Sequence, residues 1–134
     1  MMLNKIFGRA AAWGPFFLRV AVGAIFIVHG AQKLFGAFGG PGLKGFSGMM
    51  TQMGLQPPMA WATAVALVEF VGGIFLLLGF MTRLSALLIG VVMAVAVIFV
   101  HLSDGFFAFE FPLILFASCL CLLLTGGGRA AMRE

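Results

Sequence analysis

A single carboxylate lies near the middle of a long apolar stretch. Residues 61–80 read WATAVALVEFVGGIFLLLGF, and Glu69 is the one ionisable side chain among them. A lone acid at bilayer depth is energetically costly unless it faces protein or water and has a partner. Glu69 is therefore the first candidate functional residue. It could exchange a proton with a bound ligand, or it could lock helix packing by pairing with a cation.

Four further polar side chains are expected on the same side of a membrane as Glu69. His29 and Lys33 are four residues apart on the first apolar run and share a helix face. At 1.5 Å per residue, His29 lies about 9 Å and Glu69 about 15 Å inside that side. We expect Glu69 to pair with His29 or Lys33, and Glu110 with Lys33 or His101. The candidate ligand-binding cluster is Glu69, His29, Lys33, His101 and Glu110.

The chemistry open to this cluster is narrow. An imidazole such as His29 could donate a hydrogen bond to a ligand and relay a proton. The two His and two Glu residues have no compact metal-ligand spacing, so no metal site is predicted. The sequence has no Cys-x-x-Cys, haem or flavin motif. No catalytic residue is therefore assigned.

The composition places the chain in lipid. Of 134 residues, 63% are hydrophobic and 9% are charged, whereas soluble domains carry about 25% charged residues. The net charge of +4 comes from scattered residues at helix ends, a pattern that does not indicate nucleic-acid binding. Cys119 and Cys121 would point about 200° apart on a helix and cannot bridge each other. We expect one membrane domain spanning residues 1–134.

Four apolar runs predict an all-α integral membrane four-helix bundle. A fourth helix from Pro112 to Thr125 would be only about 21 Å long, too short to cross the bilayer. We therefore expect this helix to begin near Asp104, which would be its N-cap, and to kink at Pro112. Gly23 and Gly30 on the first helix offer flat surfaces for a close neighbour. A small-residue stripe on the second should face the bundle with Glu69: Ala62, Ala66 and Gly73. The predicted spans are residues 15–35, 59–80, 84–102 and 104–125.

The connection after the first span should contain a short interfacial helix. Its apolar stripe is Leu43, Phe46, Met50 and Met53. The formal GxGxxG at residues 40–45 follows a membrane helix and not a strand, so we reject dinucleotide binding.

The distribution of basic residues predicts the orientation. Lys5, Arg9, Arg83, Arg129 and Arg133 fall on one side of a four-span bundle, which favours N-in and C-in by the positive-inside rule. The first span follows a basic segment without a cleavage site and is interpreted as uncleaved. Arg19 and Arg83 are interpreted as orientation signals that contact lipid headgroups.

An internal repeat is an open hypothesis. IFIVH at 25–29 is echoed by VIFVH at 97–101, and VEF at 68–70 by FEF at 109–111. The two helical hairpins would be related by an axis along the membrane normal. Such a repeat would bring both His and both Glu residues toward one central site.

Two motifs carry a family resemblance. The first span contains R-x-x-x-G-x-x-F-x-x-H-G-x-x-K from residue 19, and the second V-E-x-x-G-G-x-x-L-x-x-G-x-x-T-R from residue 68. Together with the GLKGFSGMMTQMGL loop they resemble the DoxX family of small four-helix membrane proteins, over about residues 15–130. The tail departs from the pattern, since Arg129-Ala130-Ala131 stands where relatives have Ser-x-Asp. The resemblance implies a multi-pass protein of the bacterial plasma membrane.

The resemblance also implies a redox-associated role, because relatives include subunits of quinone-linked and redox-defence membrane complexes. We therefore expect a subunit of a quinone- or thiol-linked complex, in which His29 could donate a hydrogen bond to a quinone carbonyl and relay a proton. Because the chain has no redox motif of its own, such chemistry would need a bound quinone and protein partners, and the chain could also form homo-oligomers. The alternatives are a non-enzymatic scaffold for partner proteins and a small transporter or proton pathway. The transporter is the weakest, since the third span has no polar residue between Ser85 and His101.

Overall fold

The fold is entirely helical apart from one isolated bridge. A computed structural model describes residues 1–134 and contains four helical segments that are long and apolar enough to cross a membrane. The predicted all-α four-helix membrane bundle is confirmed. The α-helices are α1 (Met2–Phe7), α2 (Gly14–Phe35), α3 (Gly42–Gln52), α4 (Pro58–Leu78), α5 (Thr82–Val95) and α6 (Phe106–Thr125).

Helices α2 and α4 pack closely because glycines face each other across their interface. A Cβ atom at Gly23 would lie 2.7 Å from the Gly73 carbonyl oxygen, and one at Gly73 would lie 2.7 Å from the Ile27 nitrogen. Gly30 is equally tight against Phe70, at 2.5 Å from its backbone nitrogen. The glycine patches predicted on the first span are therefore contact surfaces for α4. This packing sets the distance between the helices that carry Lys33 and Glu69.

The small-residue face predicted on α4 is buried along its whole length. Ala62, Ala66 and Glu69 are completely inaccessible, and Gly73 is buried as well. Small side chains let neighbouring backbones approach, which is how membrane helices gain packing energy.

Substitution of Gly73 with alanine is expected to destabilise the bundle by about 2 kcal/mol, as overpacking of a tight interface does. The added methyl group meets backbone atoms of Ile27 and Gly23, which cannot rotate away. Gly90→Ala is the matched control, because its Cβ atom would meet only the Cys119 Cβ atom, at 3.4 Å. The thermal unfolding midpoint in detergent should fall for Gly73→Ala and hold or rise for Gly90→Ala, since alanine favours helix. Equal midpoints in the two variants would contradict close packing at Gly73.

Helix α3 occupies the connection where a short interfacial helix is predicted. Phe46 and Met50 are buried against Ala62 of α4, and Leu43 and Met53 are partly buried beside them. The predicted apolar stripe thus packs on the bundle and does not serve only as a lipid-facing surface. This position makes α3 one wall of the space between the helices.

The passage from α5 to α6 is less regular than predicted. After Val95 the chain continues as a π-helix over Ala96–His101 and a 3₁₀ turn over Leu102–Asp104. Asp104 does not cap the next helix: α6 begins at Phe106, its N-cap is Gly105, and no side chain caps it. Gly105 has a φ of 93°, a conformation that glycine adopts without strain, so the sharp turn falls there. Pro112 lies inside α6 as predicted.

Helices α2 and α6 end at Phe35 and Thr125, the residues at which the predicted spans end, whereas several other helix ends differ by one or two residues. Helix α2 begins at Gly14, one residue before the predicted start at Pro15. Helix α4 ends at Leu78 and not at residue 80, because Gly79 adopts a left-handed conformation with φ of 71°, a common way for a helix to stop. Helix α5 starts at Thr82, where residue 84 is predicted.

Both chain termini lie at one end of the bundle, here called the terminal end. Residues 8–13 form a 3₁₀ segment between α1 and α2, and the Arg129 amide donates a hydrogen bond to the Ala12 carbonyl. After α6 the tail folds back: Arg133 forms the isolated bridge with Phe80, and its carbonyl accepts from the Met81 amide at 2.7 Å. The tail therefore covers the terminal end of α2, α4 and α5.

Candidate functional site

The buried carboxylate of α4 is neutralised by the lysine of α2. Lys33 Nζ donates hydrogen bonds to Glu69 Oε1 at 2.7 Å and to Oε2 at 2.6 Å. The Glu69 side chain is inaccessible, whereas the Lys33 side chain is 22% exposed. Of the two partners expected for Glu69, the structure thus selects Lys33. This is the one ion pair formed between side chains of the chain.

The ion pair also contacts α3. Lys33 Nζ lies 5.0 Å from the centre of the Phe46 ring, within the range at which an ammonium group is attracted to an aromatic face. One lysine therefore links three helices: α2 carries it, α4 supplies the carboxylate and α3 supplies the ring.

His29 is half-buried among aromatic rings. Its imidazole makes edge-to-face contacts with Phe26 and Phe111, at centroid distances of 5.9 and 6.0 Å. It makes no hydrogen bond to any protein group. A neutral imidazole has one N–H donor and one acceptor nitrogen, so both functions of His29 are free for a ligand or water.

The structure separates His101 from Glu110. His101 ends the π-helical segment, is partly buried and makes no hydrogen bond with its side chain. Glu110 is exposed and forms no ion pair, so its expected pairing with Lys33 or His101 is not found. The reason is the rotation of α6 about its axis: Pro112 is buried and lines the cavity with Phe111, whereas Glu110 is exposed and does not line it. Glu110 is thus not part of the group that the structure assembles.

A cavity of about 820 Å³ unites the other four candidates. His29, Lys33, Glu69 and His101 all line it, together with mostly hydrophobic residues of α3, α4, α5 and α6. Binding pockets for small molecules are commonly about 300–1,000 Å³, largely apolar, with a few polar groups that fix orientation. The cavity has this character. Methionines of α3 form much of one wall: Met49, Met50 and Met53.

The irregular part of the third span faces this cavity. Ala96, Phe99, Val100 and His101 of the π-helical segment all line it. Short π-helical stretches occur often at functional sites. Here the π-helical segment brings the His101 imidazole to the same space as the His29 imidazole of α2. Sequence reasoning placed His101 at this end of the bundle, but no sequence signal indicated the π-helix.

The His, Cys, Asp and Glu residues do not come together in any group of three that could hold a metal ion. Cys119 is buried in the core and Cys121 is exposed, and both are free thiols. The polar chemistry available to the cavity is therefore hydrogen bonding by two imidazoles and the Gln32 amide, beside a neutralised ion pair.

Arg19 has a role that the sequence reasoning missed. Arg19 is 1% exposed, so the predicted contact of its side chain with lipid headgroups is wrong. Its guanidinium donates five hydrogen bonds to backbone carbonyls, two at the end of α4 and three in the tail. The acceptors are Leu76 at 3.2 Å, Leu77 at 2.7 Å, Gly127 at 2.9 Å, Arg129 at 3.1 Å and Ala130 at 2.8 Å. An arginine inside an apolar span was the available signal, but its acceptors at the end of α4 and in the tail come together only in the folded structure.

These features define a class: a multi-pass helical membrane protein with a largely apolar cavity between its spans that carries a few polar side chains. Comparison with protein families then assigns the particular family, since the DoxX family model matches residues 14–102. The chain belongs to the DoxX family. The matched region contains α2, the loop with α3, α4 and α5, and therefore Arg19, Lys33, Glu69 and His101.

Two curated proteins are similar to the chain. The first, from Bacillus subtilis (strain 168), is named "Putative oxidoreductase CatD" and is 32% identical over 114 residues, covering 84% of this chain and 79% of that protein. The second, from Haemophilus influenzae, is named "Uncharacterized protein" and is 35% identical over 91 residues, covering 65% of this chain and 58% of that protein. No solved structure matches the chain.

Proposed function

We propose that this protein is the quinone-binding subunit of a redox-associated membrane complex. The observation that supports the proposal is the cavity in which two imidazoles without protein partners lie beside a neutralised ion pair. Both imidazoles are partly exposed and line the cavity, and each neutral imidazole offers one N–H donor and one acceptor nitrogen that no protein group uses. Two such imidazoles in one cavity therefore favour a ligand with hydrogen-bonding groups.

A quinone fits the chemistry of this cavity. Its carbonyl oxygens accept hydrogen bonds, which His29 and His101 can donate, and its flat ring suits walls of aromatic and methionine side chains. A charged headgroup is less suitable, because Lys33 and Glu69 already neutralise each other. A bound quinone would supply the electron-accepting group, and a partner protein would supply the electrons. The printed name of the Bacillus subtilis relative agrees with an oxidoreductase association.

We further propose that the protein resides in the bacterial plasma membrane with both termini inside. Five basic residues fall at the terminal end or on the segments leading to it: Lys5, Arg9, Arg83, Arg129 and Arg133. Positive charge is retained on the cytoplasmic side of membrane proteins. In this orientation the cavity lies in the outer half of the membrane.

Loss of either imidazole is expected to weaken quinone binding by about fivefold, the equivalent of one hydrogen bond of ~1 kcal/mol. Trp61 lines the cavity, and Trp13 is the other tryptophan, so a Trp13→Phe background leaves one reporter. Quenching of Trp61 fluorescence by an added benzoquinone gives the affinity. His29→Leu and His101→Leu should weaken quenching, whereas Glu110→Gln, at an exposed position outside the cavity, should not.

Mass spectrometry of the detergent-purified protein provides the second readout. A quinone should co-purify with the unmodified chain and be depleted in the two imidazole variants. Absence of any co-purifying molecule and of quenching, with partner proteins still bound by both variants, would overturn the proposal in favour of a non-enzymatic scaffold.

A further inference from the structure

A second hollow adjoins the cavity on the lipid-facing side of the bundle. It lies between α2 and α6 and has a volume of about 330 Å³. Its lining is almost entirely hydrocarbon, from Ala24, Ile25, Val28, His29 and Phe111. We call this space the α2/α6 groove. It faces the region where lipid chains surround the bundle.

The groove and the cavity share two residues. His29 and Phe111 line both spaces, and their rings touch edge to face at 6.0 Å. Between α2 and α6, one pair of side chains therefore separates the cavity from the groove. Phe111 is 48% exposed and Val28 is 37% exposed, so the lipid side of the groove is open.

We propose that the α2/α6 groove receives the hydrocarbon tail of the ligand whose polar ring lies in the cavity. This inference rests on the proposed function and narrows the ligand to an amphiphile: a hydrogen-bonding ring that carries a long apolar chain. The ring lies on the cavity side of His29, and the chain leaves past Phe111 into the lipid. Two observations support this occupant: the groove and the cavity share His29 and Phe111, and the groove is lined almost entirely by hydrocarbon, whereas the cavity also carries polar side chains.

The groove acts as an exit for the tail and contributes little to affinity. A hydrocarbon chain gains little when it moves from lipid to an apolar protein groove, because the two surroundings are equally apolar. Filling the groove should therefore exclude a tailed ligand sterically and leave a tail-less ring unaffected. This difference separates the groove from the cavity in an experiment.

The test compares two probes in the Trp13→Phe background: a tail-less dimethoxy-methyl-benzoquinone and the same ring carrying a decyl chain. Ala24→Phe fills the groove, and Ala117→Phe places the same side chain on an exposed position of α6 that lines neither space. Ala24→Phe is expected to weaken binding of the decyl probe at least tenfold and to leave the tail-less probe unchanged. Ala117→Phe should change neither. If Ala24→Phe does not accumulate, Val28→Phe fills the same groove.

The outcomes separate this inference from the function beneath it. Unchanged binding of both probes in Ala24→Phe would show that the tail leaves the cavity by another route. Equal weakening of both probes would show that the substitution distorts the cavity. Either result overturns the groove assignment while quinone binding stands. Failure of both probes to quench Trp61 in the unmodified chain overturns the proposed function and the groove assignment together.

Discussion

Replacement of Arg19 with methionine is expected to release the tail and to destabilise the protein by about 4 kcal/mol or more. Five carbonyl oxygens lose their charged donor, and hydrogen bonds to charged groups contribute about 1.5–3 kcal/mol each before the released groups find other partners. Two of these carbonyls, of Leu76 and Leu77, belong to the last turn of α4, where the helix supplies no donor four residues on. The Gly79 amide also donates to the Leu76 carbonyl at 3.2 Å, so the Leu77 carbonyl depends more strongly on Arg19. The loss therefore affects both the helix end and the tail.

Hydrogen exchange of the tail measures this effect separately from global stability. The amides of Arg129, Met132 and Arg133 donate to Ala12, Leu78 and Gly79, and they should lose protection in Arg19→Met. Arg19→Lys should give an intermediate result, since an ammonium has three donors and cannot reproduce the planar guanidinium fork.

Arg83→Met is the matched control for Arg19→Met. Arg83 is exposed at the same end of the bundle and makes one long contact, 3.4 Å to the Leu124 carbonyl. Its replacement should leave tail exchange and the unfolding midpoint nearly unchanged. Full protection of the three tail amides in Arg19→Met would show that Arg19 does not hold the tail.

Breaking the Lys33–Glu69 pair is the second large effect we expect. Removal of one partner of a buried ion pair costs about 3–5 kcal/mol because the other charge is left uncompensated. Lys33→Met should cost more than Glu69→Gln, since Glu69 is inaccessible whereas the partly exposed Lys33 can extend toward the membrane surface. For a chain of this size, about 3 kcal/mol corresponds to a fall of about 10 °C in the unfolding midpoint.

A double-mutant cycle isolates the interaction between the two side chains. The double variant Lys33→Met/Glu69→Gln should be less destabilised than the sum of the single variants, because no buried charge remains unpaired. Glu110→Gln is the control for a carboxylate without a partner and should not shift the midpoint. Strict additivity of the two single variants would contradict a direct ion pair.

The two cations of α2 are accommodated in different ways. Arg19 is surrounded by backbone carbonyls at the terminal end, and Lys33 is held by a carboxylate near the opposite end. Both charges lie on one helix and both bind α4. Helix α2 is therefore fixed to α4 by a charged contact near each end and by glycine packing between them.

Much of the bundle could be predicted from local patterns. Four apolar runs require membrane spans, Gly23 and Gly73 indicate close helix contact, and the position of Glu69 on a small-residue face indicates a buried acid. These predictions succeed because hydropathy and side-chain size act over a few residues. Lys33 as the partner of Glu69 was one of two choices, since distance along a helix limits which cations can reach.

Other features depend on contacts far apart in the chain or on small rotations. The acceptors of Arg19 lie up to 111 positions away, so no local pattern identifies them. Glu110 lies outside the cavity because of how α6 is rotated about its axis. His101 lines the cavity through a π-helical segment that no residue pattern predicted. The cavity itself forms only when α3 packs against α4 and joins its wall to those of α2, α5 and α6. Residue types thus determined that this chain spans a membrane with a buried acid. The packing of the helices decided which side chains surround that acid, because the spacing of residues along the chain fixes neither the rotation of a helix about its axis nor its long-range contacts.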